Sequence, residues 1–334
     1  MRSGAPLCAA LLLTGCPDDG ETEPPPSEAV FEIVHSRLSG ALLSVWGTSE
    51  NDVWTVGGDA RDGTGPNVFH YDGSSWEQKM TGIAQGNLWW VYGFAGGPIY
   101  MGGEGGLILR YEGGTFTQMT TPDTRTVFGI WGATPEDMWA VGGQLGDTAG
   151  FAWRLSGDSW VPEPSLPAAD VADAAIWKVF GTATDDAWLV GSKGRGFHWD
   201  GTALTAGNTG AMASIFTVHA NAQRYAAVGG LASGFILEND GSGWALASDS
   251  PNGMTGVCLA ADDTGYAVGV FGTVYAREAG AWHSVDHGLS VQEDLHGVWL
   301  DPAGGVWAVG GRIGTDKTDG ILIHKGEKVV EGGL

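Results

Sequence analysis

Basic residues are scarce. The chain of 334 residues has 16 Lys plus Arg against 39 Asp plus Glu, a formal net charge of −23 at pH 7. A nucleic-acid binder needs a basic footprint to meet phosphate, and none is visible. Cysteine is scarcer still, with only Cys8, Cys16 and Cys258. Long apolar runs are missing too: the stretch at residues 6–13 is too short to cross ~30 Å of hydrocarbon. The mix that favours helices is also lacking. Glycine supplies 57 residues, about 17% against a usual ~7%, and the 16 tryptophans equal Lys plus Arg in number. This excludes a coiled coil or helical bundle and suits many short strands joined by glycine turns. Disorder of the whole chain is excluded as well, because 43% of the residues are hydrophobic and can bury a core.

What is present begins with a targeting segment. Arg2 precedes the apolar stretch, which ends in Leu13-Thr14-Gly15-Cys16. These residues resemble the signal peptide and lipobox of bacterial lipoproteins. The resemblance implies cleavage of residues 1–15, thioether lipidation of Cys16 and a lipid anchor in the cell envelope. Pro17 in place of Asp after the cysteine implies the outer membrane. The other reading is an ordinary secretion signal with a chance cysteine. Cys8 leaves with the signal and Cys16 carries lipid, so Cys258 is alone and the mature domain has no intrachain disulfide. Residues 17–28 read PDDGETEPPPSE, four prolines and five acids in twelve positions. Such a stretch cannot bury a core, and with Cys16 it reads as an extended tether over residues 16–28.

The remainder, residues 29–334, is periodic. One phrase recurs: Val-Trp-Gly, a turn, Asp-x-Trp-x-Val-Gly, an apolar strand, then Asp-Gly-x-x-Trp. The first copy holds Val45-Trp46-Gly47, Asp52 to Gly57, and Asp72-Gly73-Ser74-Ser75-Trp76. Its glycine repeats as Gly57, Gly102, Gly142, Gly191, Gly229, Gly269 and Gly310. Three columns of mostly large residues run through the copies. The first is Trp46, Tyr92, Trp131, Phe180, His219, Cys258 and Trp299. The second is Trp54, Ile99, Trp139, Trp188, Ala226, Tyr266 and Trp307. The third is Trp76, Phe116, Trp160, Leu204, Trp244, Trp282 and Val329. They absorb 11 of the 16 tryptophans, which therefore read as core and not as a ligand-stacking surface.

Within a copy, alternation of period two marks strands, and Asp-Gly marks a tight hairpin. In the first copy the strands fall near residues 43–47, 53–57, 68–71 and 76–79, denoted a to d. One such sheet cannot bury both faces, but seven arranged radially can. The spacing predicts an all-β, seven-bladed β-propeller of four-stranded antiparallel blades. Residues 30–34 and 328–331 both compete to be the outer strand of the last blade. The repeats resemble the tryptophan-rich propeller repeats of bacterial lipoproteins and are loosely similar to Asp-box (BNR) propellers, a resemblance covering residues 29–334. It implies that the Asp-Gly hairpins are structural staples.

Chemistry-bearing clusters are few. A sialidase-like site needs three arginines that clamp a carboxylate, yet Arg110, Arg154 and Arg277 fall on strand c of separate blades. Asp52, Asp137 and Asp186 repeat at one position and read as turn residues capping backbone N–H groups. His219 and Cys258 replace core aromatics and read as buried. No catalytic residue is assigned. The departures from the repeat are more informative, because insertions map to one face, which is often the binding face. Long b–c loops at residues 58–67, 143–150 and 311–320 emerge there with the d–a connection at 161–175. The candidate binding residues are Asp59, Arg61, Asp62, Arg312, Asp316, Lys317 and Asp319. Both Asp59 to Gly63 and Asp316 to Gly320 read Asp-x-x-Asp-Gly, so Ca²⁺ held by Asp59, Asp62, Asp316 and Asp319 is the one cofactor the pattern admits. The chain thus reads as a lipid-anchored, non-enzymatic scaffold for a protein or glycan partner. The alternatives are a secreted glycosidase-like hydrolase with a divergent site, or an assembly factor for a membrane complex.

The lipid anchor is directly testable. Cys16→Ser should move the protein out of the membrane fraction and abolish lipid labelling; a labelled, membrane-bound variant contradicts the lipobox reading.

Overall fold

The computed structural model describes Met1 and residues 30–314, 316–328 and 330–333. Cys16, the tether and Val329 lie outside the described residues. Each repeat folds as three consecutive hairpins. In blade one, strand a (Leu42–Ser49) pairs with b (Asp52–Asp59), b with c (Pro66–Tyr71), and c with d (Trp76–Gln78). The c–d hairpin shows why the sequence needs Asp-Gly. Asp72 Oδ1 accepts the N–H groups of Ser74 and Ser75, both at 2.9 Å, while Gly73 takes φ 91°. That is an Asx turn closed over a left-handed residue, which glycine adopts without a steric penalty.

The described residues form seven such four-stranded antiparallel sheets, a seven-bladed β-propeller with almost no helix. Strand a of each blade lies innermost, against strand a of its neighbours. The cores lie between blades: Trp54, Val56 and Val68 of blade one, for example, cluster with Leu88, Val91 and Met101 of blade two. Because strands alternate in direction, b–c and d–a connections share one face, here the upper, and a–b and c–d turns share the lower.

The first and second columns face each other across the a–b pair: Trp46↔Trp54, Trp131↔Trp139, Phe180↔Trp188, His219↔Ala226, Cys258↔Tyr266 and Trp299↔Trp307. Blade two departs from the expected alignment. Tyr92 pairs with Tyr100, not Ile99, and Leu88 pairs with Gly103. The blade has Gly102-Gly103 where the others have Val-Gly, so Gly102 occupies the valine position. A one-residue slip in a strand exchanges faces: Tyr100 packs toward blade three, whereas Ile99 packs toward blade one.

The two chain ends close the ring. Strand Phe31–Leu38 pairs antiparallel with Thr318–Lys325, from Phe31↔Lys325 to Leu38↔Gly320, and becomes the outer strand of blade seven. Phe31 therefore occupies the third-column place expected of Val329. Val330 is buried in the same cluster as Val34 and Trp307.

Asp52, Asp137 and Asp186 keep a structural role with different partners from those expected. Asp52 accepts from Thr48 (2.6 Å), the Trp54 indole N–H (3.1 Å) and His70 Nε2 (2.8 Å). The His70 ring stacks on Trp54 with centroids 4.1 Å apart. In blade three Asp137 binds Arg154, whose guanidinium lies 4.0 Å from the Trp139 ring centroid. The acid thus holds a strand-c cation or imidazole flat against the second-column tryptophan. Each partner sits directly across the ladder from the tryptophan two residues beyond the acid, which puts it within reach of the carboxylate.

Trp139 is fully buried between Arg154 and Trp199. Truncating it leaves a cavity and strips the guanidinium of its platform, so Trp139→Ala should cost about 3–5 kcal/mol, read as a lowered denaturant midpoint. A loss below about 1 kcal/mol would contradict the interblade packing.

Candidate functional site

The innermost strands share an irregularity that builds the axis. In every blade the a–b register shifts near the start of strand a: between Leu42 and Ser44, Leu88 and Trp90, Val127 and Gly129, Ile176 and Lys178, Ile215 and Thr217, Met254 and Gly256, and Leu295 and Gly297. The residue left out is bulged from the ladder and re-aimed. The seven bulged residues are Leu43, Trp89, Phe128, Trp177, Phe216, Thr255 and His296. Several touch around the axis: Trp89 packs on Phe128 (5.3 Å between centroids) and His296 (6.0 Å), Phe128 on Trp177 (4.5 Å), and Trp177 on Phe216 (5.9 Å). Leu43 and Phe128 are buried, while the other five remain partly exposed. Together they form an aromatic mouth on the upper face, where strand a begins.

One residue deeper the ring is uneven. Trp90 and Lys178 are large, while Gly129 and Gly256 let neighbouring strands approach closely: a Cβ there would lie 3.1 Å from Trp177 O and 2.7 Å from His296 O. Lys178, 4% exposed, reaches across to donate to Phe128 O at 2.7 Å, with Nζ 4.4 Å from the Trp90 ring centroid. Burial lowers its pKa to about 7. His296 donates from Nδ1 to Leu43 O at 2.6 Å; burial, then the neighbouring Lys178 charge, bring its pKa to about 4, so it is neutral at pH 7.

Around this mouth the upper-face loops carry exposed apolar side chains. Met80 follows strand d of blade one, Leu145 caps the b–c turn of blade three, and Met212 (92% exposed) precedes blade five. Leu231 and Phe271 (69% exposed) tip the b–c turns of blades five and six. Phe271 has φ 56°, matching Gly105 (φ 70°) and Lys193 (φ 57°) at the same place in the b–c turns of blades two and four, so the left-handed residue belongs to the turn itself.

The loops named from sequence do meet. A Cβ on Gly58 would lie 2.7 Å from Lys317 O. Arg61 pairs with Asp316 at 3.4 Å and donates to its carbonyl at 3.1 Å; Arg312 pairs with Asp319 at 3.3 Å. Lys317 Nζ sits 5.3 Å from the Trp89 ring centroid, which joins this charged sector to the mouth. Asp59 accepts from Arg61 N (2.7 Å) and Gly86 N (2.9 Å), and Asp62 from Thr64 N (2.9 Å). The four acids proposed for Ca²⁺ thus serve separate partners, and among the described residues no three His, Cys, Asp or Glu side chains form a metal-binding group.

On the lower face two clusters of polar side chains are paired within the protein. A cavity of about 600 Å³ on the lower face is lined by Asp186, His198, Arg224 and Tyr225. There Asp186 accepts from Thr182, His198 and Tyr225, and Arg224 pairs with Asp263 and Glu238. At the lower end of the axis His219 Nδ1 accepts the Leu259 N–H at 3.1 Å, so its proton is on Nε2, which faces Cys258 Sγ at 3.7 Å. Burial lowers His219 to about 3 and lifts Cys258 to about 12. The thiol stays protonated at pH 7 and is no nucleophile.

Sequence reasoning missed Trp89, Trp177 and Lys178. Their signal is a break in alternation: Leu88-Trp89-Trp90-Val91 and Ile176-Trp177-Lys178-Val179 put large residues at successive positions, where a regular strand would alternate.

No family model matches the chain, and no curated protein matches it. Solved structures resemble it at low identity. The WD40 β-propeller domain of Doa1 is 12% identical, with 87% of this chain and 96% of that one covered, at TM-score 0.65. YCF48 bound to D1 peptide is 15% identical, covering 91% and 99%, at 0.66. Virginiamycin B lyase from Staphylococcus aureus is 10% identical, covering 88% and 99%, at 0.67. At these identities the likeness is one of fold, a propeller shared by binding modules and an enzyme alike.

Lys178 predicts a pH signature. Its folded pKa is about 7, whereas the unfolded side chain titrates near ~10.4. Between these values the unfolded state binds more protons, so this residue's contribution raises stability as pH rises from about 7 to about 10. Denaturation midpoints of wild type and Lys178→Met should converge across that window, with the variant the more stable at pH 7. A constant difference would contradict the buried placement.

Proposed function

We propose that this chain is a non-enzymatic binding scaffold of the cell envelope, held by lipid on Cys16, that docks a segment of a partner protein across the upper face and over the axial mouth. The observation that carries this reading is the placement of exposed apolar side chains. Met80, Leu145, Met212, Leu231 and Phe271 come from five different connections of the upper face, whereas the other exposed large apolar side chains of the propeller, Val30, Ile33, Val161 and Leu246, lie on or beside outer strands. Apolar side chains grouped in this way mark interaction surfaces more than singly scattered ones do. Phe271, an aromatic side chain 69% exposed at a turn tip, has the character of an anchor residue.

Charge shapes the partner. At −23 the chain attracts cationic surfaces and repels acidic ones over long range. The paired loops of Arg61, Asp316, Arg312 and Asp319 would set register at the rim more than affinity. A YCF48 propeller of similar architecture has been solved with a peptide bound, which supports a polypeptide partner over a glycan and is compatible with a role in assembling a membrane complex. The tether at residues 16–28 would hold the face away from the bilayer.

The experiment is capture of envelope proteins by the native lipoprotein, identification, and reconstitution with the purified partner. Combining Met212→Asp, Leu231→Asp and Phe271→Asp should weaken binding at least tenfold with little change in melting temperature. Undiminished binding by that variant would place the partner elsewhere.

A further inference from the structure

We propose that the cavity between blades four and five on the lower face binds a neutral saccharide, with the Trp188 indole as its platform and the Asn239 amide as its central donor. The site is separate from the docking face and does not depend on it.

Asn239 is the starting point. In three of the four blades whose second column holds tryptophan, an aromatic ring near the end of strand c of the following blade covers it. Tyr111 packs on Trp54 with centroids 4.9 Å apart, Trp199 on Trp139 at 5.2 Å, and Tyr71 on Trp307 at 5.9 Å. Those three tryptophans are fully buried. Trp188 of blade four is the fourth, and blade five puts Asn239 in the covering place: Asn239 pairs with Trp244 as Tyr71 pairs with Trp76. His198 lies against the Trp188 ring at 5.1 Å, and Trp244 meets it edge-on at 5.3 Å. The small Asn239 side chain leaves the indole partly exposed beside the cavity. The cavity volume, about 600 Å³, falls within the ~300–1,000 Å³ usual for small-ligand sites.

Asn239 is 8% exposed, and its Oδ1 accepts the N–H groups of Gly241 at 2.9 Å and Gly243 at 3.1 Å. Those two donors identify the oxygen and leave Nδ2 over. Nδ2 has no protein partner among the described residues and is not sealed from solvent, in a side chain that lines the cavity. The Trp188 indole N–H is likewise unpartnered and accessible, and the exposed Gln223 amide at the rim adds a donor and an acceptor. Charge, by contrast, is spent inside the protein. Arg224 pairs with Glu238 and Asp263, and Asp186 accepts from Thr182, His198 and Tyr225. Asp240 is exposed at the rim. A carboxylate or phosphate therefore finds no free cation there, and a cation finds no buried counterion. What remains is an apolar ring face with uncharged hydrogen-bonding groups beside it. A pyranose matches that mix, because its C–H face packs on an aromatic ring while its hydroxyls both donate and accept.

The test is saturation-transfer NMR followed by titration calorimetry on the full-length protein. The neutral probes are methyl β-galactoside, methyl α-mannoside, cellobiose and N,N′-diacetylchitobiose; the charged probes are glucuronate and choline. At least one neutral sugar should bind, and neither charged probe should. Asn239→Tyr rebuilds the ring that other blades carry at this place, and should weaken that sugar at least tenfold while the melting temperature holds or rises. Asn239→Asp keeps the oxygen that the turn needs but removes the amide donor, and should weaken the sugar severalfold. Combining Met212→Asp with Phe271→Asp on the upper face should leave its affinity unchanged. Failure of every neutral sugar to bind overturns the site. So does binding of glucuronate or choline in their place, or a sugar affinity that survives both Asn239 variants. Loss of the sugar in the Met212 and Phe271 variant would assign it to the upper face and overturn the site as well.

Discussion

The structure depends on one constraint: each four-stranded blade is apolar on both faces and cannot be stable alone. Trp54, Trp139 and Trp307 show how the constraint is met, each fully buried in the seam between one blade and the next. Packing of this kind propagates around a ring and needs the ring to close. Closure comes from hydrogen bonds between the two ends of the chain, where strand Phe31–Leu38 completes blade seven. With no disulfide available to the described domain, where Cys258 is the free thiol, interblade packing and this strap carry its stability.

Closure also dictates what the axis can be. Seven innermost strands converge, and a bulge near the start of each aims one side chain at the centre on the upper face. The lower end is filled by the first-column residues, including Phe180 and His219, whose rings lie 4.0 Å apart between centroids at a tilt of 33°. The two ends of one channel therefore differ in kind. Below, polar groups are paired within the protein, as in the Asp186 and Arg224 networks. Above, apolar tips face solvent around the aromatic ring. That asymmetry, more than the fold, is what argues for partner docking on the upper face.

The architecture was legible because its determinants are local and repeated. Asp-Gly turns, period-two alternation and the near-constant spacing of two columns specify hairpins without reference to the rest of the chain. Where a determinant was duplicated, the reading slipped. Gly102-Gly103 offers two glycines for one place, and Ile99 was aligned where Tyr100 belongs. The closing strand was narrowed to two candidates but not resolved, since pairing between residues some 290 positions apart leaves no local mark. The loops at Asp59 to Asp62 and Arg312 to Asp319 were legible as departures from the repeat, and they do meet. The axial residues were marked only by a break in alternation, which does not say that a bulge aims them at the axis and which lets Trp89 and Trp177 pass for additional core. Lys178 was hidden for the same reason: its burial follows from ring closure, and nothing in its neighbours along the chain requires it.

The account stands on a partner occupying the upper face, and hydrogen exchange of the complex tests this most directly. Bound partner should slow exchange at residues 79–89, 209–216, 230–233 and 270–272, the connections that carry the apolar tips and lead into the axial ring, while the c–d turns at residues 72–75 and 200–203 stay unchanged. Protection confined to those c–d turns, or to the outer strands, would contradict it.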